Sequence, residues 1–151
     1  MSVPFRQNAR IGLHLMKQKL KRVKYYPFIV EIEPLFACNL SCPGCGKIQH
    51  PTDILRRRLS VEDVVNAVEE SGTPMVSIAG GEPLLHPQIV EMVEALTARK
   101  VYVYLCTNAI LLERRLGKFT PSRYFSWVVH LDGLGERHDA AVDRAGVFDT
   151  A

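Results

Sequence analysis

The 151-residue sequence lacks any run of about 18 or more uncharged apolar residues, so it predicts no membrane-spanning helix. It also lacks the unbroken apolar stretch of a signal peptide, because charged residues interrupt every such stretch from Met1 to Lys24, and we therefore expect a cytoplasmic location. It has no low-complexity segment, and its mild net charge of +3 gives no indication of nucleic-acid binding. With 47% hydrophobic and 23% charged residues, the composition is ordinary for one globular core.

Cysteine is scarce, and its placement is uneven. Three of the four cysteines, Cys38, Cys42 and Cys45, fall in one short stretch that follows an apolar, strand-like run over residues 28–34. An odd cluster without a secretion signal argues against a disulfide framework. Closely spaced thiolates repel one another and oxidise readily, so the C-x3-C-x2-C spacing predicts a bound metal.

Two kinds of metal site fit three cysteines differently. A structural zinc site normally has four ligands, often arranged as two pairs, and a second pair is missing here; His50 is the one nearby candidate. A cubane iron–sulfur cluster has four irons, so three thiolates would leave one iron open to bind another ligand. The spacing therefore favours a cluster, and a small zinc-binding module without catalysis stays as the alternative. Gly44 and Gly46 flank Cys45 and are predicted to permit the tight backbone that three ligands on one cluster require.

Strand-like and helix-like segments alternate along the rest of the chain. Apolar runs predict strands, and stripes at helical spacing predict helices between them, the first beginning at the N-cap Ser60 and ending at Gly72. This alternation is typical of βαβ units on a parallel sheet and indicates an α/β fold. The predicted strands cover residues 28–33, 75–79, 101–106 and 126–131, and the later helices are predicted to start at Pro87 and at Leu111.

Each predicted strand has one side that turns polar toward its C-terminal end, whereas the other side stays apolar. Alternate side chains of a strand face opposite sides, so the polar sets should line one cavity where the carboxyl ends of the strands meet. The polar positions are Glu31 and Glu33; Ser77 and Gly81; Tyr102, Tyr104, Cys106 and Asn108; and His130 and Asp132.

Three motifs follow these strands in order and carry a family resemblance. After the cysteine motif come Gly80-Gly81-Glu82-Pro83, then Cys106-Thr107-Asn108, then His130-Leu131-Asp132-Gly133. This order resembles the radical S-adenosylmethionine (SAM) superfamily, although Ala109 stands where many members have glycine and His130 where serine is more frequent. Within it, residues 33–38 and 45–47 are similar to the hopanoid-biosynthesis enzymes that add an adenosyl group to a hopene.

The resemblance implies a fold, two cofactors and a set of site residues. The fold would be a partial (β/α) barrel, with residues 25–151 as the first four β/α units of a longer enzyme. A [4Fe–4S] cluster would be held by Cys38, Cys42 and Cys45. SAM would contact Gly80, Gly81, Glu82 and Pro83, together with Asn108 and Asp132. The implied partners are a hopene lipid and a flavodoxin- or ferredoxin-like electron donor; a radical SAM enzyme acting on a peptide or another small molecule is the alternative.

Two features leave alternatives open. Cys106 is either a small buried residue or a catalytic thiol that gives a hydrogen atom to a carbon radical. Residues 1–24 are basic and carry Leu13, Met16, Leu20 and Val23 at helical spacing, which predicts an amphipathic helix. That helix either caps the barrel with its charges in water or lies at the inner face of the membrane.

Overall fold

A parallel sheet of four strands organises the structure, a computed structural model that describes residues 4–151. The strands lie side by side in chain order, and every neighbouring pair is parallel, which confirms the predicted α/β class. They are β1 Val30–Ile32, β2 Met75–Ile78, β3 Tyr102–Thr107 and β4 Phe125–Val129. The helices are α1 Phe5–Leu20, α2 Thr52–Leu55, α3 Val61–Ser71, α4 Ile89–Ala98, α5 Leu112–Arg115, α6 Glu136–Ala141 and α7 Val147–Thr150.

The core lies between one face of this sheet and helices α3 and α4. The apolar positions of β2 and β3 form its centre, and the valine stripe of α3 packs with Ile89, Met92 and Leu96 of α4 on top of them. Burying a side chain of this size stabilises the fold by about 1.5–3 kcal/mol relative to leaving it in water. The apolar side of the strands is therefore committed to the core, and the polar side is left to face the cavity.

Helix α3 begins and ends as predicted. The Ser60 hydroxyl accepts a hydrogen bond from the Asp63 amide, and the Asp63 carboxylate accepts one in return from the Ser60 amide, which completes a capping box. Gly72 ends the helix with φ 62°, a left-handed conformation that glycine adopts without strain. Local sequence alone is sufficient to set these boundaries.

Other boundaries differ from the prediction. Helix α4 begins at Ile89 rather than at Pro87, because a 3-10 turn over Pro83–Leu85 and the buried His86 occupy the chain before it. Strand β1 is only three residues long. The loop after the cysteines contains a 3-10 turn over Lys47–Gln49 and the single-turn helix α2, which the sequence patterns did not indicate.

The N-terminal helix is shorter than the predicted span of residues 1–24. Helix α1 starts at Phe5 and ends at Leu20, so Val23 follows it, and residues 1–3 of the prediction lie outside the described residues. Between residues 4 and 151 there is no helix with both the length and the apolar character needed to cross a membrane.

Candidate functional site

The carboxyl ends of the strands surround one cavity of about 620 Å³ that also contains the cysteine loop. The structure brings together in its lining nearly all of the predicted site residues: Cys38, Cys42, Cys45, Gly80, Gly81, Pro83, Cys106, Asn108 and Asp132. Residues as far apart in the chain as Cys38 and Asp132 thus meet at one place because the strands are parallel. Among the residues assigned to a cofactor or to catalysis, Glu82 does not line the cavity. The prediction for the polar strand positions was wrong at five of them, which do not line this cavity: Glu31, Glu33, Ser77, Tyr102 and Tyr104.

The three cysteines are half-buried and face this common space. The backbone turns between them, where the Cys45 amide donates to the Cys42 carbonyl at 3.0 Å, and the Leu40 amide lies 3.4 Å from the Cys38 sulfur. Burial raises the pKa of the Cys38 and Cys42 thiols, so both hold their protons at neutral pH. Metal binding at these thiols would therefore release protons.

The donor set suits a multi-iron cluster. Among residues 4–151, no three His, Cys, Asp or Glu side chains gather tightly enough to hold a single metal ion. The three thiols line one cavity of about 620 Å³, which has room for a group larger than a single ion. A cluster places each thiolate on a different iron atom, so it requires ligands that are spread in this way.

A small apolar wall supports the cysteine loop from the other side. Leu40 packs with Val142 and Val147, and Cys38 and Cys42 lie against them. The wall is held in place by Asp139, whose carboxylate accepts hydrogen bonds from the amides of Gly146 at 2.6 Å and Phe148 at 2.8 Å. No pattern in the sequence singled out this segment, because its contacts with the cysteine loop join parts of the chain about a hundred residues apart.

Gly80 and Gly81 are needed because the chain's own backbone passes over them. A Cβ on Gly81 would collide with the carbonyl oxygens of Phe36 and Ala37, and one on Gly80 would collide with that of Leu35. The Gly81 amide donates to Leu35 at 3.0 Å, and the Glu82 amide donates to Ala37 at 2.9 Å. The two glycines therefore fasten the segment before Cys38 onto the end of β2.

The glycines beside Cys45 do not have the role that the sequence indicated. We predicted that Gly44 and Gly46 permit a tight backbone around the cluster. Neither has a positive φ, and a Cβ on either would meet no heavy atom within 4 Å. An alanine would fit at both positions, so the prediction of a conformational need for glycine there was wrong.

The carboxylate of Glu82 is fully buried, and both of its oxygens accept hydrogen bonds from the protein. Its Oε1 accepts hydrogen bonds from the Leu84 amide at 3.0 Å and the Thr107 hydroxyl at 2.9 Å, and its Oε2 accepts one from the Asn108 amide at 2.9 Å. Burial raises its pKa, and the three hydrogen bonds oppose that rise. In this arrangement Glu82 joins the end of β2 to the end of β3, so it positions the cavity wall rather than lining the cavity.

Asn108 makes the next connection across the site. Its side-chain amide donates to the Asn39 side chain at 2.8 Å and lies 3.8 Å from the Cys38 sulfur. Together with Glu82, it connects the cysteine loop, the turn after β2 and the end of β3 into one hydrogen-bonded unit. A change in the cysteine loop, in the turn after β2 or at the end of β3 should therefore alter the position of Cys38.

Cys106 lies on the cavity side of β3, two residues before Asn108. Its sulfur is 3.6 Å from the Ser77 hydroxyl on the neighbouring strand β2, and the residue is half-buried in the cavity lining. Cys106 therefore lies among the polar residues of the cavity and not in the apolar core. A catalytic thiol would need to be in this position.

His130 and Asp132 form an exposed pair just beyond β4. The His130 Nε2 atom is 2.9 Å from the Asp132 carboxylate, and both residues line the cavity. The backbone amide of Asp132 donates to Nδ1 of His138, which is fully buried. The other ring nitrogen of His138, Nε2, is buried without a hydrogen-bond partner among the described residues. The sequence analysis found no role for His138, yet it positions the Asp132 backbone.

His86 ties the end of the cysteine loop to the turn after β2. Its Nε2 lies 3.1 Å from the Leu59 carbonyl, and its Nδ1 accepts a hydrogen bond from the Gln88 amide at 3.1 Å. With Nδ1 accepting, the Nε2–H donates, so the ring is neutral. Burial lowers the pKa of His86 and keeps it in this form.

This arrangement predicts a pH-dependent stability. Below about pH 6.5 the unfolded chain binds a proton at His86 that the folded protein does not, so the free energy of unfolding should fall as the pH falls. His86→Gln removes this titration and should cost about 1–3 kcal/mol at pH 7.5. Urea unfolding measures the difference in the free energy of unfolding between wild type and variant, and this difference should be smaller at pH 5.5 than at pH 7.5. An equal difference at both pH values would contradict a neutral, buried His86.

Comparison with known proteins places this geometry in a family. The sequence profile of the radical SAM superfamily matches residues 32–151. Mycofactocin maturase MftC of Mycolicibacterium smegmatis is 31% identical over 129 residues, which cover 83% of this chain and 32% of that protein. GTP 3′,8-cyclase of Chlorobaculum tepidum is 30% identical over 125 residues, which cover 80% of this chain and 37% of that protein.

Solved structures agree on the fold. Streptococcus suis SuiB bound to S-adenosylmethionine is 25% identical with a TM-score of 0.66, and the match covers 95% of this chain and 32% of that one. The chain thus spans about a third of the length of the relatives that it matches. None of the relatives named here carries a hopanoid or other lipid in its name, so the narrower resemblance to hopene-modifying enzymes stays a prediction.

Proposed function

Because this chain belongs to the radical SAM superfamily, whose members bind a [4Fe–4S] cluster and S-adenosylmethionine, we propose that Cys38, Cys42 and Cys45 hold the cluster. The supporting observation is that all three thiols line the cavity formed by the strand ends. The reduced cluster, when bound, supplies the electron that splits SAM into methionine and a 5′-deoxyadenosyl radical.

The remaining lining residues orient SAM and the substrate. The turn at Gly80 and Gly81 presents backbone next to the cysteine loop, where the methionine end of SAM would lie. Glu82 and Asn108 keep that turn and Cys38 at a fixed separation. Asp132 and His130 also line the cavity, where the Asp132 carboxylate can accept a hydrogen bond from a polar group of SAM and the His130 ring can donate or accept one.

For the reaction itself, we propose addition of the 5′-deoxyadenosyl radical to the alkene of a hopene lipid. A new carbon–carbon bond forms as the π bond breaks, which leaves a carbon radical on the substrate. The Cys106 thiol then gives a hydrogen atom to that carbon and becomes a thiyl radical. A flavodoxin- or ferredoxin-like donor must return one electron, with a proton from solvent, to restore the thiol. The support is the position of Cys106 in the cavity lining and the similarity of residues 33–38 and 45–47 to hopene-modifying enzymes.

A second candidate is a radical reaction on a peptide. It is favoured by one comparison: SuiB, whose SAM-bound form is 25% identical to this chain, has also been crystallised bound to the precursor peptide SuiA. Incubation with SAM and either a hopene or a peptide separates the two, because adenosyl addition consumes the 5′-deoxyadenosyl group, whereas hydrogen abstraction releases free 5′-deoxyadenosine.

Iron and sulfide analysis with EPR of the dithionite-reduced protein tests the proposed cofactor chemistry. Under anaerobic conditions we expect a reduced-cluster signal that changes when SAM is added, because the fourth iron has no protein ligand. A cluster signal that ignores SAM would contradict an open iron. Zinc without iron after anaerobic reconstitution would overturn the radical chemistry and leave a structural metal site.

Replacing Cys106 with alanine tests the hydrogen-atom step. We expect the variant to load its cluster and cleave SAM at a rate within about twofold of wild type, since Cys106 is not a cluster ligand in this proposal. The yield of reduced adenosyl adduct should fall at least about tenfold, because the carbon radical has lost its hydrogen donor. Ser77→Ala, which removes only the neighbouring hydroxyl, is the matched control. An unchanged adduct yield in Cys106→Ala would rule out the thiol as donor.

A further inference from the structure

Helix α1 presents an apolar face away from the protein. Leu13, Met16 and Leu20 recur at spacings of three and four, which places them on one side of the helix, and they are 65%, 60% and 81% exposed. Phe5, at the start of the helix, is 84% exposed. Most of the exposed large hydrophobic side chains among residues 4–151 fall between Phe5 and Ile29.

The side of α1 that faces the sheet is polar. Gln7 is its buried residue, and the Gln7 side-chain amide is hydrogen-bonded to the hydroxyl of Tyr104 and lies 3.9 Å from the Met75 sulfur. The Arg10 guanidinium lies 6.0 Å from the centre of the Tyr124 ring. An amphipathic helix on a globular protein normally turns its apolar stripe inward, and α1 has the opposite orientation.

Charge is segregated in the same segment. Residues 1–30 contain no Asp or Glu and seven basic residues: Arg6, Arg10, Lys17, Lys19, Lys21, Arg22 and Lys24. This leaves 12 of the 19 Lys and Arg residues against all 16 Asp and Glu in the remaining chain. The exposed apolar stripe therefore belongs to a strongly cationic segment on an otherwise acidic protein.

We propose that the outward face of α1 docks on an anionic lipid bilayer. An apolar stripe with basic neighbours and no acids matches a helix that lies in the membrane interface, where side chains enter the acyl boundary and cations meet lipid phosphates. A second copy of this chain is a poorer occupant, because it would bring the two cationic segments against each other. The docking does not depend on the reaction; its use in delivering a lipid substrate rests on the proposed function.

The position of α1 gives this docking a direction. Gln7 reaches the cavity side of the sheet at Tyr104, and Cys106 lies two residues further along the same face of β3, roughly 7 Å away along the strand. The contacts of α1 with Met75, the first residue of β2, and with Tyr124, just before β4, lie at the amino ends of the strands, whereas the cysteine loop lies at their carboxyl ends. A docked bilayer would therefore meet the protein at the end of the sheet away from the cluster.

Vesicle flotation of the purified protein tests this proposal. We expect binding to vesicles that contain phosphatidylglycerol, little binding to pure phosphatidylcholine, and weaker binding as the salt concentration rises.

The variant Leu13→Gln, Met16→Gln, Leu20→Gln keeps good helix formers and should bind at least about tenfold more weakly. Lys17→Gln with Lys19→Gln should weaken binding roughly fivefold per charge. Leu134→Gln, at a side chain that is 78% exposed outside this segment, is the matched control.

Limited proteolysis of the wild-type protein gives a second measurement that does not depend on variants. Anionic vesicles should protect the tryptic sites at Lys17 and Lys19, while those at Arg114 and Lys118 remain cleavable.

Equal vesicle binding by the triple glutamine variant would overturn the proposal. So would conversion of a wild-type dimer to a monomer by that variant, because the face would then join two copies. SAM cleavage by the variant should be unchanged, which separates a failure of docking from a failure of the proposed chemistry.

Discussion

Replacing Cys42 with alanine should reduce the iron and sulfide content of the reconstituted protein to about a tenth of wild type or less, and SAM cleavage should stop with it. The thiolate is one of three protein ligands, and an iron–sulfur cluster that loses one of them is open at two irons instead of one. Alanine is preferred to serine because Cys42 lies against the apolar wall of Leu40, Val142 and Val147. Iron analysis, EPR and the release of methionine measure the outcome.

The matched control for this experiment is the fourth cysteine. Cys106→Ala removes one thiol from the same cavity lining but should keep its iron, so a comparison of the two variants separates ligation from mere thiol content. Circular dichroism should show both variants folded, because each loses a single half-buried sulfur. A SAM-responsive cluster at full occupancy in Cys42→Ala would disprove the assignment of Cys42 as a ligand.

Replacing Gly81 with alanine should strongly destabilise the protein, although it adds only one methyl group. Its Cβ would collide with the carbonyl oxygens of Phe36 and Ala37, which belong to backbone and cannot rotate away as a side chain could. The segment before Cys38 would have to move, and the hydrogen bonds from Gly81 to Leu35 and from Glu82 to Ala37 would lengthen. We expect a loss of about 3 kcal/mol or more in the free energy of unfolding, together with poor cluster assembly.

Gly46→Ala provides the control for the alanine substitution at Gly81. Gly46 has an ordinary helical φ of −66°, and a Cβ there would meet no heavy atom within 4 Å, although the residue is next to Cys45. The free energy of unfolding of the Gly46→Ala variant should stay within about 0.5 kcal/mol of wild type. Urea titrations of both variants measure the difference. A Gly81→Ala protein as stable as Gly46→Ala would show that the cysteine loop does not depend on the close approach over Gly81.

Much of the fold could be read from local patterns. The alternation of strands and helices predicts the parallel sheet, and the capping box at Ser60 and Asp63 sets the start of α3 to the residue. Period-two alternation also separates the core side of β3 from its cavity side, so Val103 and Leu105 are buried while Cys106 lines the cavity. These features depend on residues close together in the chain, and sequence spacing reports them directly.

The candidate site could be predicted only in part. The cysteine spacing and the motif order single out the residues that gather at the strand ends. They could not show that Glu82 is buried and accepts hydrogen bonds from Leu84, Thr107 and Asn108, nor that His138 holds the Asp132 backbone. Both facts depend on contacts between segments far apart in the chain, for which one sequence carries no local signal.

The turn at Gly80 and Gly81 and helix α1 also separate what the sequence predicts from what only the folded structure shows. The sequence by itself determined that Gly80 and Gly81 form a permissive turn and that Leu13, Met16 and Leu20 share a helix face. Only the tertiary structure decided that the turn admits the chain's own backbone and that the apolar face points outward. Periodicity fixes which residues lie on the same side of an element, because that follows from backbone geometry. What lies against that side is decided by packing between distant segments, which exists only once the chain has folded.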